Sequence, residues 1–211
     1  MKNAAKTAEA IRALLRSFQA EEKNPPPPAR EDPLKALVRG AMTWGVADPR
    51  AEEAMRHIER EFVNMNELRV ATELEIQEIL GVRYPDIQKR VQMITRSLNA
   101  IFAREHTLSL DRLRGLNRRE IRQFLHELPD MNPFVEAYVM LFGFEAPAVP
   151  LDEEMLAALR ARGIFDESVT VEDAQKLIEN TLKDEECLVF YRGLRRMVHA
   201  AGKPRRAASR D

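Results

Sequence analysis

Cys187 is the only cysteine in this chain. One thiol excludes an internal disulfide and any metal site built from several cysteines. Long apolar runs are missing too. None approaches the roughly 20 residues that cross a bilayer, so no spanning helix and no membrane partner are expected. Met1 to Lys6 lead into a charged amphipathic stretch without the apolar core of a secretory signal. These features favour the cytoplasm. None of the four histidines, His57, His106, His126 and His199, has metal-ligand spacing with another histidine or with Cys187. No metal and no other cofactor is expected. A large excess of positive charge is also absent. The net charge of −1 is not that of a strongly basic nucleic-acid binder.

The local charge is less even. From Arg192 to Asp211 there are seven basic residues and one acid. A second basic set is Arg112, Arg114, Arg118, Arg119 and Arg122. Either set has the charge to neutralise phosphates. A solvated helix face and a basic tail account for the same pattern, and both readings stay open.

No alternating strand pattern and no fixed-period repeat interrupts the helical spacing. Ile11, Leu14, Leu15 and Phe18 form one helical stripe, which Pro25 to Pro28 end. Four prolines make a stiff spacer or, on the other reading, a ligand for a proline-recognition domain. Helical segments then follow one another. Thr72 and Glu75 have capping-box spacing, and Gly81 suits a helix stop. Ile87, Val91, Ile94, Leu98, Ile101 and Phe102 trace a long helix. Asn117, Asn132 with Pro133, Asp152 and Thr170 each stand where a helix should begin. The expected class is all-α, with about ten helices in two lobes. The expected boundaries are an N-terminal helix over 1–24, a proline linker over 25–31, a helical domain over 32–202 and a basic tail over 203–211. The N-terminal helix is a candidate surface for a protein partner.

Between two of these helices the chain reads Leu128-Pro129-Asp130-Met131-Asn132-Pro133-Phe134. An apolar segment follows and ends in Pro150-Leu151-Asp152. This layout resembles the hairpin and aspartate of the helix-hairpin-helix, endonuclease III-like DNA glycosylases, over about Asp32 to Lys203. Those hairpins read roughly Leu-Pro-Gly-Val-Gly-x-Lys-Thr-Ala, and the spacing from Phe134 to Asp152 equals the family spacing from lysine to aspartate. The resemblance implies double-stranded DNA as partner, with Asp130, Met131 and Asn132 at the phosphate-binding turn. It implies Asp152 as the carboxylate that stabilises positive charge on the sugar as the glycosidic bond breaks. The alternative for Asp152 is a plain helix cap, with Glu153 and Glu154 favouring the helix dipole.

The departures from the family pattern carry chemistry. Asp130 and Asn132 replace hairpin glycines; both residue types tolerate left-handed geometry, but the Asp130 carboxylate repels a phosphate. Phe134 replaces the lysine that forms a Schiff base in bifunctional members, so no lyase step is expected. Gly45 replaces a gap-filling glutamine, and Trp44 beside it offers a face for stacking, or is a core tryptophan. Tyr84, in a glycine-aromatic turn like the family's, and Phe134 are the other base-pocket candidates, with ordinary packing as the alternative. Lys203, Arg205 and Arg206 resemble the start of the family's iron–sulfur loop, but the four cysteines of a cluster are lacking. These three residues, with Arg118, Arg119 and Arg122, are candidate phosphate contacts. The resemblance thus points to a base-excision-repair-type protein, as a monofunctional glycosylase, or as an inactive helical module that binds DNA or protein.

Overall fold

The computed structural model describes residues 4–22, 30–81 and 83–201, with the side chains of 200 and 201 left aside. The proline run Pro25 to Pro28 and the tail residues Lys203, Arg205 and Arg206 lie outside the described residues. Eleven α-helices and no strand are found among the described residues. In chain order the helices are α1 (Ala4–Glu21), α2 (Pro33–Thr43), α3 (Asp48–Glu61), α4 (Met65–Val70), α5 (Glu73–Leu80) and α6 (Ile87–Glu105). They continue as α7 (Arg118–His126), α8 (Pro133–Tyr138), α9 (Glu153–Ala161), α10 (Val171–Thr181) and α11 (Glu186–Ala201). A 3-10 turn over Asp111–Gly115 precedes α7, and a π turn over Val139–Gly143 extends α8. No described helix is long and apolar enough to cross a membrane.

Side-chain chemistry starts most of these helices where the sequence places the starts. Thr72 and Glu75 form a reciprocal capping box at α5, and Asn117 with Glu120 forms another at α7. Asn132 Oδ1 accepts from Val135 N at 3.0 Å, and Pro133 opens α8 in the position where no amide donor is needed. Thr170 caps α10 through Asp173 N. Asp32 Oδ1 caps α2 in the same way, ahead of Pro33.

The helices pack as two groups. Helices α2 to α8 surround a core that includes Leu37, Met42, Met55, Ile58, Leu68, Ile94, Leu98 and Val135, all buried. Helices α9, α10 and α11 pack with α1, so the chain begins and ends in the same lobe. The apolar stripe of α1, Ile11, Leu15 and Phe18, is buried inside that lobe. Phe18 lies edge-on to Phe190, with ring centroids 5.7 Å apart. Its ring also fills the space beside Gly193, where an added Cβ would lie 2.2 Å from a ring carbon. The N-terminal helix therefore spends its apolar face on its own fold.

Candidate functional site

The hairpin is built by α7, a turn over 127–132, and α8. Asp130 takes the left-handed conformation at φ 58°, which a short polar side chain tolerates. Asn132 does not. It is extended at φ −109° and uses its side chain as a cap. Only one of the two glycine-replacing positions is therefore left-handed. Ser97 of α6 donates its hydroxyl to Pro129 O at 3.2 Å, tying the turn to the long helix. Arg96 pairs with the Asp130 carboxylate at 3.0 Å, and both side chains remain about half exposed. The carboxylate thus stands on the turn surface with one cation already beside it.

Asp152 ends the extended segment before α9 and is 4% exposed. Oδ1 accepts from Met155 N at 2.9 Å, the helix cap. Oδ2 accepts from Gly45 N at 3.3 Å, a bond across 107 residues of sequence. Gly45 has φ 59°, and this turn aims its amide at the carboxylate. The Asp152 carboxylate and the Gly45 backbone amide thus hold α9 against the end of α2, one lobe against the other.

Three more bonds join the lobes nearby. Arg195 of α11 is buried, donates to Val46 O at 2.7 Å, and forms an ion pair with Asp48. His199 Nδ1 lies 3.4 Å from the same carboxylate. Burial works against the Arg195 cation, yet its surroundings, Asp48 and Asp152 among them, leave its pKa raised. Burial also pushes the Tyr191 hydroxyl well above its ordinary value, with Tyr138, Asp48 and Asp152 adding to the effect.

A cavity of about 320 Å³ opens between the lobes beside these bonds. Its walls include Thr43 of α2, Asp48 and Glu52 of α3, Tyr138, Phe142 and Tyr191. Phe142 packs on Tyr138 at 4.4 Å between centroids, and Tyr191 meets Phe142 edge-on at 5.7 Å. Gly40 lets Tyr138 lie against α2, since an added Cβ would be 3.1 Å from Tyr138 Cβ. Asp152 is not among the lining residues, although Tyr191 and Arg195, which are, feel its charge.

The three aromatic candidates do not share one cavity. Phe134 is buried behind the interlobe cavity, stacked on Tyr138 at 6.2 Å and edge-on to Tyr191 at 6.4 Å. Trp44 lines a different cleft of about 400 Å³, with Lys89, Arg90, Gln92, Met93, Asp130, Met131 and Asn132. That cleft brings the hairpin candidates and Trp44 together. Tyr84 is buried beneath the end of α2 and donates its hydroxyl to Met42 O at 2.7 Å. Burial, opposed by the cations of Arg90 and Arg50, pushes its pKa up to about 12.

The basic candidates separate as well. Arg118 pairs with Asp184 at 2.6 Å. Arg122 donates to both oxygens of Glu179, at 3.0 and 3.2 Å, and lies 3.5 Å from Glu136. Arg119 is exposed on the first turn of α7. Other cations stand nearby, with Lys89 exposed in the Trp44 cleft, Arg96 of α6 paired with Asp130 of the hairpin turn, and Arg50 and Arg83 in a separate pocket with Tyr84.

Arg90 was hidden in the sequence although a signal for it existed. It falls on the apolar stripe of α6, between Ile87 and Val91, and a charge on a buried stripe needs specific partners. Arg195 next to Leu194 in α11 carries the same signal.

An all-α fold of two lobes with a helical hairpin is the fold shared with endonuclease III and other DNA glycosylases of known structure. A trapped endonuclease III–DNA covalent intermediate in an estranged-adenine complex is similar at TM-score 0.68 and 13% identity, over 89% of this chain and 84% of that one. A Clostridium acetobutylicum 8-oxoguanine glycosylase/lyase bound to dsDNA with cytosine opposite 8-oxoG is similar at TM-score 0.71 and 16% identity, over 93% and 69%. An H. pylori 3-methyladenine DNA glycosylase (MagIII) bound to 1,N6-ethenoadenine is similar at TM-score 0.68 and 12% identity, over 94% and 99%. No protein-family model and no curated protein matches the chain. Similarity at these identities establishes the fold.

Proposed function

We propose that this chain binds duplex DNA on the face carrying the hairpin turn and Trp44, and accepts an extruded base in the interlobe cavity. There it acts as a monofunctional N-glycosylase. The glycosidic C–N bond breaks and the base departs with its bonding electrons; water adds to the sugar cation, and the proton it loses ends on the departed base. Asp152 supplies the negative charge that the cation needs. Phe134 has no amine, so no imine forms and the sugar–phosphate strand stays intact. The observation that carries this reading is the aromatic cavity of about 320 Å³ between the lobes, whose Arg195 donates to Val46 O, next to the Gly45 amide that meets Asp152. Its volume lies within the range of small-molecule pockets, and its Tyr138, Phe142 and Tyr191 rings suit a base taken out of the stack. The DNA complexes among the similar structures support duplex DNA as the partner.

The test is a single-turnover assay on duplexes carrying deaminated, oxidised and alkylated bases. Free base should be released from one class, and strands should break only after alkali. Base release from none, or strand scission without alkali, would overturn the reading. A second reading, a DNA-binding module without chemistry, is favoured by the 4% exposure of Asp152 and the amides on both its oxygens. Binding to an abasic-analogue duplex with no base release from any lesion would select it.

A further inference from the structure

The last turn of α2 ends in carbonyl groups that its own helix cannot satisfy. No side chain within α2 meets them. Arg90, four residues into α6, does. Its Nη1 donates to Ala41 O, its Nη2 donates to Trp44 O at 2.6 Å, and its Nε donates to Pro85 O at 2.7 Å. Tyr84 adds a fourth bond, from its hydroxyl to Met42 O at 2.7 Å. The guanidinium carbon also sits 5.3 Å from the Trp44 ring centroid and 5.6 Å from that of Tyr84. Arg90 is 2% exposed, and burial lowers its pKa. Among its described contacts no carboxylate is hydrogen-bonded to it. A buried cation held by carbonyls and ring faces is costly unless each of its nitrogens meets an acceptor. The planar fork of arginine places them, and a lysine ammonium reaches only part of the set.

We propose that Arg90 is a positioning residue for the Trp44–Gly45 turn. By clamping Ala41 O and Trp44 O it fixes where α2 stops, how the Trp44 ring stands over the hairpin cleft, and where the Gly45 amide points. That amide meets Asp152 Oδ2, so the clamp also sets the carboxylate across the lobe boundary. This deepens the DNA reading above and rests on it only for the consequence on binding; the effect on the turn exists in the free protein.

Trp44 is the only tryptophan, so its fluorescence reports on the turn alone. Arg90→Met and Arg90→Lys are compared with wild type. The readouts are acrylamide quenching of the free protein and affinity for a duplex containing an abasic analogue. Arg90→Met should raise the quenching constant about twofold or more at unchanged helix content, and weaken DNA binding about tenfold. Arg90→Lys should fall between. Should Arg90→Met fail to fold, Tyr84→Phe, which removes only the bond to Met42 O, should still raise quenching measurably. Wild-type quenching in a folded Arg90→Met, or in Tyr84→Phe where the former does not fold, would overturn the proposal. Full wild-type behaviour in Arg90→Lys would overturn the fork argument. If the wild-type protein binds no DNA, the DNA reading falls, while the quenching series still decides the role of Arg90.

Discussion

Asp152 carries two duties that two substitutions separate. Its Oδ1 caps α9 through Met155 N at 2.9 Å, and its Oδ2 takes the longer bond from Gly45 N at 3.3 Å. Asparagine keeps an oxygen for the cap, and a cap exchange among Asp, Asn and Ser is nearly neutral. Its amide nitrogen, however, meets the Gly45 N–H donor to donor. The loss is one long hydrogen bond to a charged group, about 1 kcal/mol. Gly45 is exposed, so its amide regains water. Alanine forfeits the cap as well, a further ~1 kcal/mol. In a chain of this size each kcal/mol moves the melting point by roughly 2–4 °C. Asp152→Asn should therefore melt about 3 °C low and Asp152→Ala about 6 °C low. Circular dichroism at 222 nm measures both. In the glycosylase assay both variants should lose at least about 100-fold, because neither has the charge that opposes the sugar cation. DNA affinity should be equal or higher in Asp152→Asn. Equal melting of the two variants would refute the capping argument. Full activity in Asp152→Asn would refute the catalytic one.

Asp130→Asn should tighten DNA binding about fivefold in a fluorescence-anisotropy titration, since one carboxylate 4 Å from a phosphate costs about 1 kcal/mol in water and asparagine keeps the left-handed turn; weaker binding would contradict a phosphate contact at that turn. Gly193→Ala should destabilise the protein by about 1–3 kcal/mol in urea melts, because its Cβ lands on the Phe18 ring, and Phe18→Leu should recover part of the loss; a neutral Gly193→Ala would refute the α1–α11 packing. Burial raises the Glu136 pKa despite Arg122 and His126. The folded state then holds its proton to higher pH than the unfolded state, so this group's contribution to stability falls as pH rises above the ordinary carboxylate range. Glu136→Gln should accordingly compare better with wild type at pH 7 than at pH 4 in paired denaturant titrations, and a pH-independent difference would refute this. Borohydride should trap no covalent complex with an abasic duplex, and trapping that survives mutation of the surface lysines would contradict the role given to Phe134.

Local features of the fold were legible in the sequence because they are local in chemistry. Thr72 with Glu75, Asn117, Asn132-Pro133, Asp152 and Thr170 all start the helices assigned to them. The cap and its amide are three residues apart, so sequence spacing states the contact. Helix α4 escaped notice because its six residues bury only Leu68, too few to show a period. The π turn after Tyr138 has no spacing signature either. The site was less legible than the fold. Trp44 and the hairpin turn do meet in one cleft, yet Tyr84 turns inward to Met42 O, and Phe134 stands behind Tyr138. An aromatic residue states its burial in the sequence but not which side of a wall it occupies. Arg118 and Arg122 read as free cations because their partners, Asp184 and Glu179, lie about sixty residues downstream.

The lobes are joined by Arg118–Asp184 and Arg122–Glu179, and by a cluster of bonds on residues 45 to 48. Gly45 N reaches Asp152, Val46 O takes Arg195, and Asp48 holds both Arg195 and His199. Four contacts on three residues, Gly45, Val46 and Asp48, make this a turn through which a shift of α2 reaches α9 and α11 together. It is also the turn between the two cavities, since Thr43 lines the interlobe cavity and Trp44 the hairpin cleft. On the glycosylase reading, a base passing from a bound duplex into the interlobe cavity would enter beside these contacts. Loosening them would also free the Gly45 amide from Asp152 Oδ2 and expose the carboxylate to the sugar. A carboxylate that is 4% exposed in the free protein is compatible with chemistry only through such a coupled movement. The two functional readings thus differ in one physical quantity, the exposure of Asp152 when duplex occupies the hairpin face. Its side-chain carboxyl resonance, followed by carbon NMR with and without an abasic-analogue duplex, measures it directly. A resonance that shifts on binding supports the glycosylase, and one that stays fixed while the duplex is bound leaves Asp152 a cap.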